Sequence, residues 1–207
     1  MSNLFRIDGK IYELVEKFVD CILVSILWTL FSLPIVTIGA STAALYYTVH
    51  KVIRNDTGKL WQTFWYTFKS NFRQATALWG ILFIILAVLC FDCYLVYTWR
   101  QINSLFIWLF WILLILLAST IMLSSYWFAY ITHIQDSIKT VLKNTFIMCV
   151  VHFSKSILLL LITILVIACF VLLPFSPFFF ILLPGFSMYL ACPILQKVFL
   201  HYWDILT

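Results

Sequence analysis

Two ionisable side chains, Asp20 and Asp92, interrupt long apolar runs of the sequence. A carboxyl group at membrane depth can relay protons or bind a cation, so both residues are functional candidates. Lys17 lies about one helical turn before Asp20, and Arg100 lies about two turns after Asp92. Because a cation or a basic loop is within reach of each carboxyl, we predict structural ion pairing ahead of proton coupling.

The cysteines and histidines do not have the spacing of metal ligands. Cys90 and Cys93 form a C-x-x-C pair, but it lies in an apolar run without a neighbouring histidine. The histidines are scattered, at His50, His133, His152 and His201. The chain also has no Gly-rich phosphate loop, nucleophile elbow or H-E-x-x-H motif. We therefore predict no metal, no cofactor and no enzyme activity.

The composition indicates which elements must position these side chains. Hydrophobic residues make up 64% of the 207 residues and charged residues 10%, against about 45–50% and about 25% in soluble domains. Only a lipid bilayer suits so much apolar surface, so we predict an all-α polytopic membrane helix bundle. The net charge of +5 comes from basic residues between apolar runs, which indicates lipid headgroups and not nucleic acid.

Six hydrophobic segments are predicted, at about residues 18–33, 34–50, 76–98, 105–131, 156–173 and 178–195. The first two hold only about 16 residues each, where a span needs about 20, so they form either two short spans or a hairpin. Pro34 separates them. Small residues such as Gly39 and Ser41 favour close helix packing in the second. Pro184 and Gly185 are expected to break or kink the last segment, or to mark its start.

The basic residues predict the orientation of the chain. Only one of the thirteen, Arg100, falls in a connection that this layout places outside. The positive-inside rule therefore places both termini in the cytoplasm. A five-span layout would put the basic stretch from Lys51 to Arg73 outside, and we consider it the poorer interpretation.

Two cytoplasmic segments have the pattern of interfacial amphipathic helices. The first, at about residues 57–75, has an aromatic face formed by Leu60, Trp61, Phe64, Trp65, Phe68 and Phe72. The second, at about residues 136–153, has a weaker stripe formed by Ile138, Leu142, Phe146 and Val150. Such faces either anchor in the lipid headgroups or bind a partner protein.

The segment SLPIVTIGASTAALYYTVHKVIR at residues 32–54 and the segment FWYTFKSNFRQATALWGI at residues 64–81 resemble the YesL-like family of bacterial membrane proteins. The resemblance is most specific in LPIVTIGAST and in F-K-x-N-F-R-Q-A-T. It implies a multi-pass protein of the bacterial cytoplasmic membrane, of uncharacterised function, commonly encoded beside carbohydrate ABC importers. It brings no catalytic residues.

Two functions are compatible with these observations. The first is an accessory or scaffold component that binds a carbohydrate ABC importer or a membrane sensor. The two predicted cytoplasmic helices favour this function. The second is a small transporter or channel acting as a homo-oligomer, with Gly39–Ala44 and the Pro184–Gly185 break lining its path. The scarcity of polar residues inside the membrane weighs against the second.

Overall fold

A computed structural model of the protein describes residues 4–99, 105–172 and 177–206. Within these ranges the chain is all-helical and contains no strand, which confirms the all-α part of the predicted fold class. The helices are α1 Leu4–Phe31, α2 Ile38–Thr48, α3 Leu60–Trp99, α4 Leu105–His133, α5 Ile138–Val151, α6 Phe153–Leu172 and α7 Pro177–Leu206. A 3-10 turn, Ile35–Thr37, precedes α2, and a π-helical turn, Val49–Arg54, extends it.

Three described helical segments are long and apolar enough to cross a membrane: Leu60–Trp99, Phe106–His133 and Leu182–Leu200. A fourth is added if α5 and α6, which meet at a bend of 103°, count as one broken span. Helices α1 and α2 are not among them. Helix α2 has 11 residues and is about 16 Å long, roughly half the thickness of the hydrocarbon core.

Helices α1 and α2 form a hairpin with a tight connection. Pro34 follows the end of α1, and the Thr37 hydroxyl donates to the Phe31 carbonyl at 2.6 Å and to the Pro34 carbonyl at 2.7 Å. The bond to Phe31 satisfies a carbonyl at the end of α1 that has no partner within the helix. The two arms are joined by the Trp28 indole N–H, which donates to the Thr42 hydroxyl at 3.2 Å.

The hairpin packs on the first half of α3. The loop at residues 55–59 reverses the chain, using positive φ angles at Asp56 (50°) and Gly58 (94°), so that α2 and α3 run antiparallel. Gly39, at the start of α2, lies against Ala75 and Trp79 of α3. From Trp79, α3 continues for 20 residues, about 30 Å, to Trp99. The hairpin therefore reaches only partway along α3.

Several boundaries differ from those predicted. The amphipathic helix at 57–75 and the span at 76–98 are one continuous helix, α3, because neither Gly nor Pro separates them. The predicted helix at 136–153 is α5, ending at Val151. Helix α7 passes without a break through Pro184 and Gly185 and through Pro193. The predicted external connections, at about residues 99–104 and 174–177, lie outside the described residues except for Trp99 at the end of α3 and Pro177 at the start of α7.

The helices form an incomplete ring. Helix α3 packs on α2 and α4, α4 on α6, α6 on α7, and α7 on α1. Over the described residues, α3 and α7 share no extended contact, and the hairpin lies between them. The core accordingly draws buried residues from the hairpin and from all the long helices.

Candidate functional site

The aromatic face at the start of α3 divides into a packed and an exposed part. Phe64 and Phe68 are buried, and the Phe31 ring of the hairpin lies within 5.2–6.1 Å of the centroids of both rings and of Trp61 and Trp65. Leu60 packs partly buried against the core. The exposed members of the predicted set are Trp61 at 53%, Trp65 at 44% and Phe72 at 39%.

The exposed part forms a shallow groove. Trp61 and Trp65 stack in parallel with ring centroids 6.4 Å apart, and the neighbouring Tyr66 and Lys69 complete its lining with Gln62 and Ser70. Tyr66, exposed at 73%, was not part of the predicted face. The packed stripe beneath holds the rings of Trp61 and Trp65 in place, and the Lys69 cation lies beside them. Such a surface can bind either lipid headgroups or another protein.

The stripe of α5 is similarly divided. Ile138 and Leu142 pack partly buried against the core, whereas Phe146 and Val150 are exposed, at 57% and 58%. The buried side of α5 is instead formed by residues between these positions, including Val141 and Met148. The exposed side of α5 therefore carries part of the predicted apolar stripe.

The two candidate carboxyl groups have different surroundings. Asp20 lines a polar pocket at the start of the hairpin together with Glu13, Glu16 and Asp56. Lys17 faces the same pocket, and its Nζ lies 3.9 Å from the carboxylate of Asp56, with which it forms an ion pair. The spacing had suggested Asp20 as its partner. Asp92 is partly exposed on α3. Its proposed partner, Arg100, lies outside the described residues.

The small residues of the hairpin lie at helix contacts. A Cβ atom on Gly39 would approach the Ala75 carbonyl oxygen to 2.6 Å and the Trp79 Cβ to 2.7 Å. Ser41, on the same helix, is fully buried and its hydroxyl has no hydrogen-bond partner. Pro34 is exposed at the hairpin connection. The α2–α3 approach therefore depends on the missing side chain of Gly39.

Pro184 and Gly185 lie at the crossing of α7 and α1. A Cβ on Gly185 would collide with the Cys21 carbonyl and the Ser25 hydroxyl. The Ser25 hydroxyl accepts from the Gly185 backbone N–H at 2.7 Å and donates to the Cys21 carbonyl at 2.7 Å. A serine of α1 thus takes up a backbone N–H next to the proline of α7, which stabilises the helix where a proline disturbs its hydrogen bonds.

A polar cluster that the sequence did not predict joins α2, α4 and α7. The Tyr46 hydroxyl lies 3.2 Å from Nε2 of His133, and the rings of His50 and His133 are 5.4 Å apart at 71°. The Gln196 amide hydrogen-bonds Nδ1 of His50. One turn further along, the Arg54 guanidinium lies over the Tyr189 ring. These residues are separated by up to 150 positions, so no local pattern could have indicated the cluster.

A second unpredicted set of hydrogen bonds holds the α4–α5 connection. The Tyr130 hydroxyl donates to the Asp136 carboxylate at 2.7 Å and accepts from the Asn144 amide at 2.8 Å. The Gln74 amide of α3 donates to the Asp136 backbone carbonyl at 2.7 Å. Ser137 caps α5 by accepting from the Thr140 N–H. Helices α3, α4 and α5 are tied together at this end of the bundle.

A cavity of about 220 Å³ lies inside the ring of helices, with contributions from α2, α3, α4, α6 and α7. Its wall is mostly apolar, with Trp79, Leu82 and Phe128 among its members. Hydroxyl-bearing side chains from four helices converge on it: Thr42, Tyr46, Ser124, Ser125, Thr163 and Ser187. Tyr46 connects the cavity with the histidine cluster.

The arrangement offers hydrogen bonds but no set of metal ligands. Within the described part of the chain, no group of three or more His, Cys, Asp and Glu side chains could hold a metal ion. Of the predicted candidates that the structure describes, the aromatic face of α3 is the one whose exposed residues form a continuous groove. The histidine cluster and the cavity are the sites that sequence reasoning missed.

Comparison with known proteins supports one part of the resemblance. Residues 21–93 match the family described as "Protein of unknown function, DUF624", to which YesL-like proteins belong. The matched range contains the end of α1, all of α2 and most of α3, and so includes both segments that carry the resemblance. No curated protein and no solved structure matches the chain. Over about a third of its length the chain is thus similar to a family without an assigned function.

Proposed function

We propose that the chain crosses the bacterial cytoplasmic membrane four times, through α3, α4, α6 and α7, and that the α1–α2 hairpin enters from the cytoplasmic side without crossing. The contact between Gly39 and Trp79 supports this placement, because α3 continues for about 30 Å beyond that contact. The exposed apolar side chains of the hairpin, including Leu30, Leu33 and Val36, suit lipid. All six hydrophobic segments then contact the bilayer, with both termini in the cytoplasm.

In this membrane the protein acts as an accessory or scaffold component that binds a partner membrane protein. The observation that carries this proposal is the rigid aromatic face at the start of α3. Phe31 of the hairpin fixes the packed stripe, so that Trp61 and Trp65 stay exposed in a defined geometry. Exposed aromatic residues held by a packed support are typical of the residues that dominate binding interfaces.

The partner class comes from the resemblance. A carbohydrate ABC importer or a membrane sensor subunit fits a component that resembles the YesL-like family. A transporter or channel acting as an oligomer is the alternative. Its proposed path is less well supported, because Gly39 and Gly185 are each covered by a neighbouring helix and do not line the cavity.

Affinity purification from native membranes tests the proposal. We expect the transmembrane subunits of a carbohydrate importer to co-purify with the chain, and to be lost when Trp61 and Trp65 are both replaced by alanine. Trp108 and Trp111 of α4 are also exposed, at 71% and 58%, and provide the matched control pair. Loss of the partner in both double variants, or recovery of the chain without importer or sensor subunits, contradicts the proposal.

A further inference from the structure

We propose that the cavity inside the helix ring is a binding site for an amphiphile with an apolar chain and a hydroxyl group. An engineered apolar cavity of about 150 Å³ holds benzene, so by that ratio a cavity of about 220 Å³ holds roughly nine carbon atoms. The mostly apolar wall selects an apolar body over a free sugar or an ion.

The hydroxyl groups in the wall determine the polar part of the ligand. Ser124, Thr163 and Ser187 each donate to a carbonyl of their own helix, at 2.7, 2.9 and 2.9 Å. A hydroxyl oxygen can accept two hydrogen bonds while its single proton is engaged. These three residues line the cavity, and their oxygens keep the capacity to accept from a ligand that donates a hydrogen bond. An alcohol satisfies this requirement without a charge.

The route of entry follows from the incomplete ring. Helices α3 and α7 both line the cavity, through Trp79 and Leu82 on one side and Ser187 and Met188 on the other. In the described residues these two helices share no extended contact, and the hairpin lies between them, with Gly39 against Ala75 and Trp79 of α3. In the proposed four-span arrangement, on which this route rests, the space between α3 and α7 beyond this contact opens to the bilayer. An amphiphile already dissolved in the membrane can thus reach the cavity sideways.

Photolabelling of the full chain in phosphatidylcholine nanodiscs tests the site. The probe is an octanol that carries a diazirine on its chain, and the comparison probe is the same chain with a methyl group in place of the hydroxyl. We expect the octanol adducts, mapped by mass spectrometry, to concentrate on cavity residues such as Met188 and Trp79. Adducts spread evenly over the lipid-facing residues of α3 and α4 would overturn the proposal.

Two variants sharpen the test. Ala191→Phe fills the cavity, and we expect it to abolish the concentrated labelling, whereas Ala87→Phe, on an exposed position of α3, leaves it unchanged. Thr163→Val preserves the shape of the wall and removes one acceptor, which should lower labelling by octanol about threefold to tenfold but not labelling by the comparison probe. Because Thr163→Val keeps the packing, it still decides the matter if Ala191→Phe fails to fold. An equal response of both probes to Thr163→Val contradicts the role of the hydroxyl.

Discussion

At the scale of single residues, Gly39 and Gly80 allow a matched comparison. A Cβ on Gly39 would meet the Ala75 carbonyl oxygen at 2.6 Å, whereas a Cβ on Gly80 meets nothing within 4 Å. We expect Gly39→Ala to lower the free energy of unfolding by about 1–3 kcal/mol, because α2 must move away from α3. Gly80→Ala should raise it by about 0.5–1 kcal/mol, since alanine favours the helix. Denaturation in detergent micelles measures both, and equal effects would contradict the close approach at Gly39.

Ser25 provides a second comparison at this scale. Its buried hydroxyl bonds the Gly185 N–H and the Cys21 carbonyl, so Ser25→Ala leaves a buried N–H without its partner. We expect a loss of about 1–3 kcal/mol in the free energy of unfolding. Ser119, whose hydroxyl makes an exposed bond within its own helix, is the control, and Ser119→Ala should change stability by less than about 0.5 kcal/mol. The contact of α1 with α7 would not depend on Ser25 if the two variants behaved alike.

Sequence reasoning at the residue scale was most informative where a residue type has one strong physical preference. Gly39 and Ser41 indicated close packing, because small residues favour it in lipid. The partner of Lys17 was not predictable, since Asp20 and Asp56 are both acidic and only the fold brings Asp56 to 3.9 Å. The cluster around His50 and His133 required knowledge of which helices are neighbours.

At the scale of elements, the α1–α2 hairpin leads to a prediction about accessibility. Val36, exposed at 60%, lies at the connection of the hairpin. If the hairpin enters from the cytoplasmic side without crossing, a cysteine at position 36 stays protected from a membrane-impermeant thiol reagent added outside intact cells. Labelling of Val36→Cys from outside, in a background without the native cysteines, would show that the first two segments cross the membrane.

Two further positions calibrate that measurement. Trp61→Cys lies on the proposed cytoplasmic side and should react only after the cells are opened. Ile102→Cys, in the predicted external connection that lies outside the described residues, should react in intact cells. A reversed pattern at both positions would invert the proposed orientation while leaving the hairpin untouched.

The α4–α5 connection leads to a prediction about local opening. Tyr130 bonds both Asp136 and Asn144, so Tyr130→Phe removes two hydrogen bonds that hold α5. We expect hydrogen exchange in residues 138–151 to accelerate about fivefold or more, as the loss of about 1 kcal/mol implies. Exchange in α3 beyond Gln74 serves as the internal reference. Acceleration throughout the protein would indicate global destabilisation instead of local release of α5.

Hydropathy predicts which segments are apolar more readily than it predicts how those segments are arranged. The runs at 18–33 and 34–50 are apolar whether they cross the bilayer or enter and return, so both interpretations remained open from the sequence. The boundary predicted near residue 75 was absent because amphipathic and fully apolar stretches can share one helix when neither Gly nor Pro interrupts it. The hydrophobic pattern changes near residue 75, but the backbone stays helical.

At the scale of the whole molecule, charge and packing constrain the same quantity, the number of crossings. Twelve of the thirteen basic residues fall in segments predicted to be cytoplasmic. Two full spans and one hairpin both return the chain to the side on which it began, so charge alone does not distinguish them. We propose the hairpin on the packing of Gly39 against Ala75, which lies well before the far end of α3.

An even number of crossings leads to the last prediction. Four spans and a returning hairpin place the N-terminus and the C-terminus on one side, and the positive-inside rule makes that side the cytoplasm. Epitope tags at both ends should therefore resist protease in intact spheroplasts and be cleaved in inverted vesicles, with a tag inserted after residue 102 showing the opposite pattern. If the two terminal tags differ in protease sensitivity, the number of crossings is odd. One element that the proposed arrangement keeps on the cytoplasmic side then crosses the membrane. The α1–α2 hairpin would then be the first candidate, because each of its arms has an apolar run only a few residues short of a span.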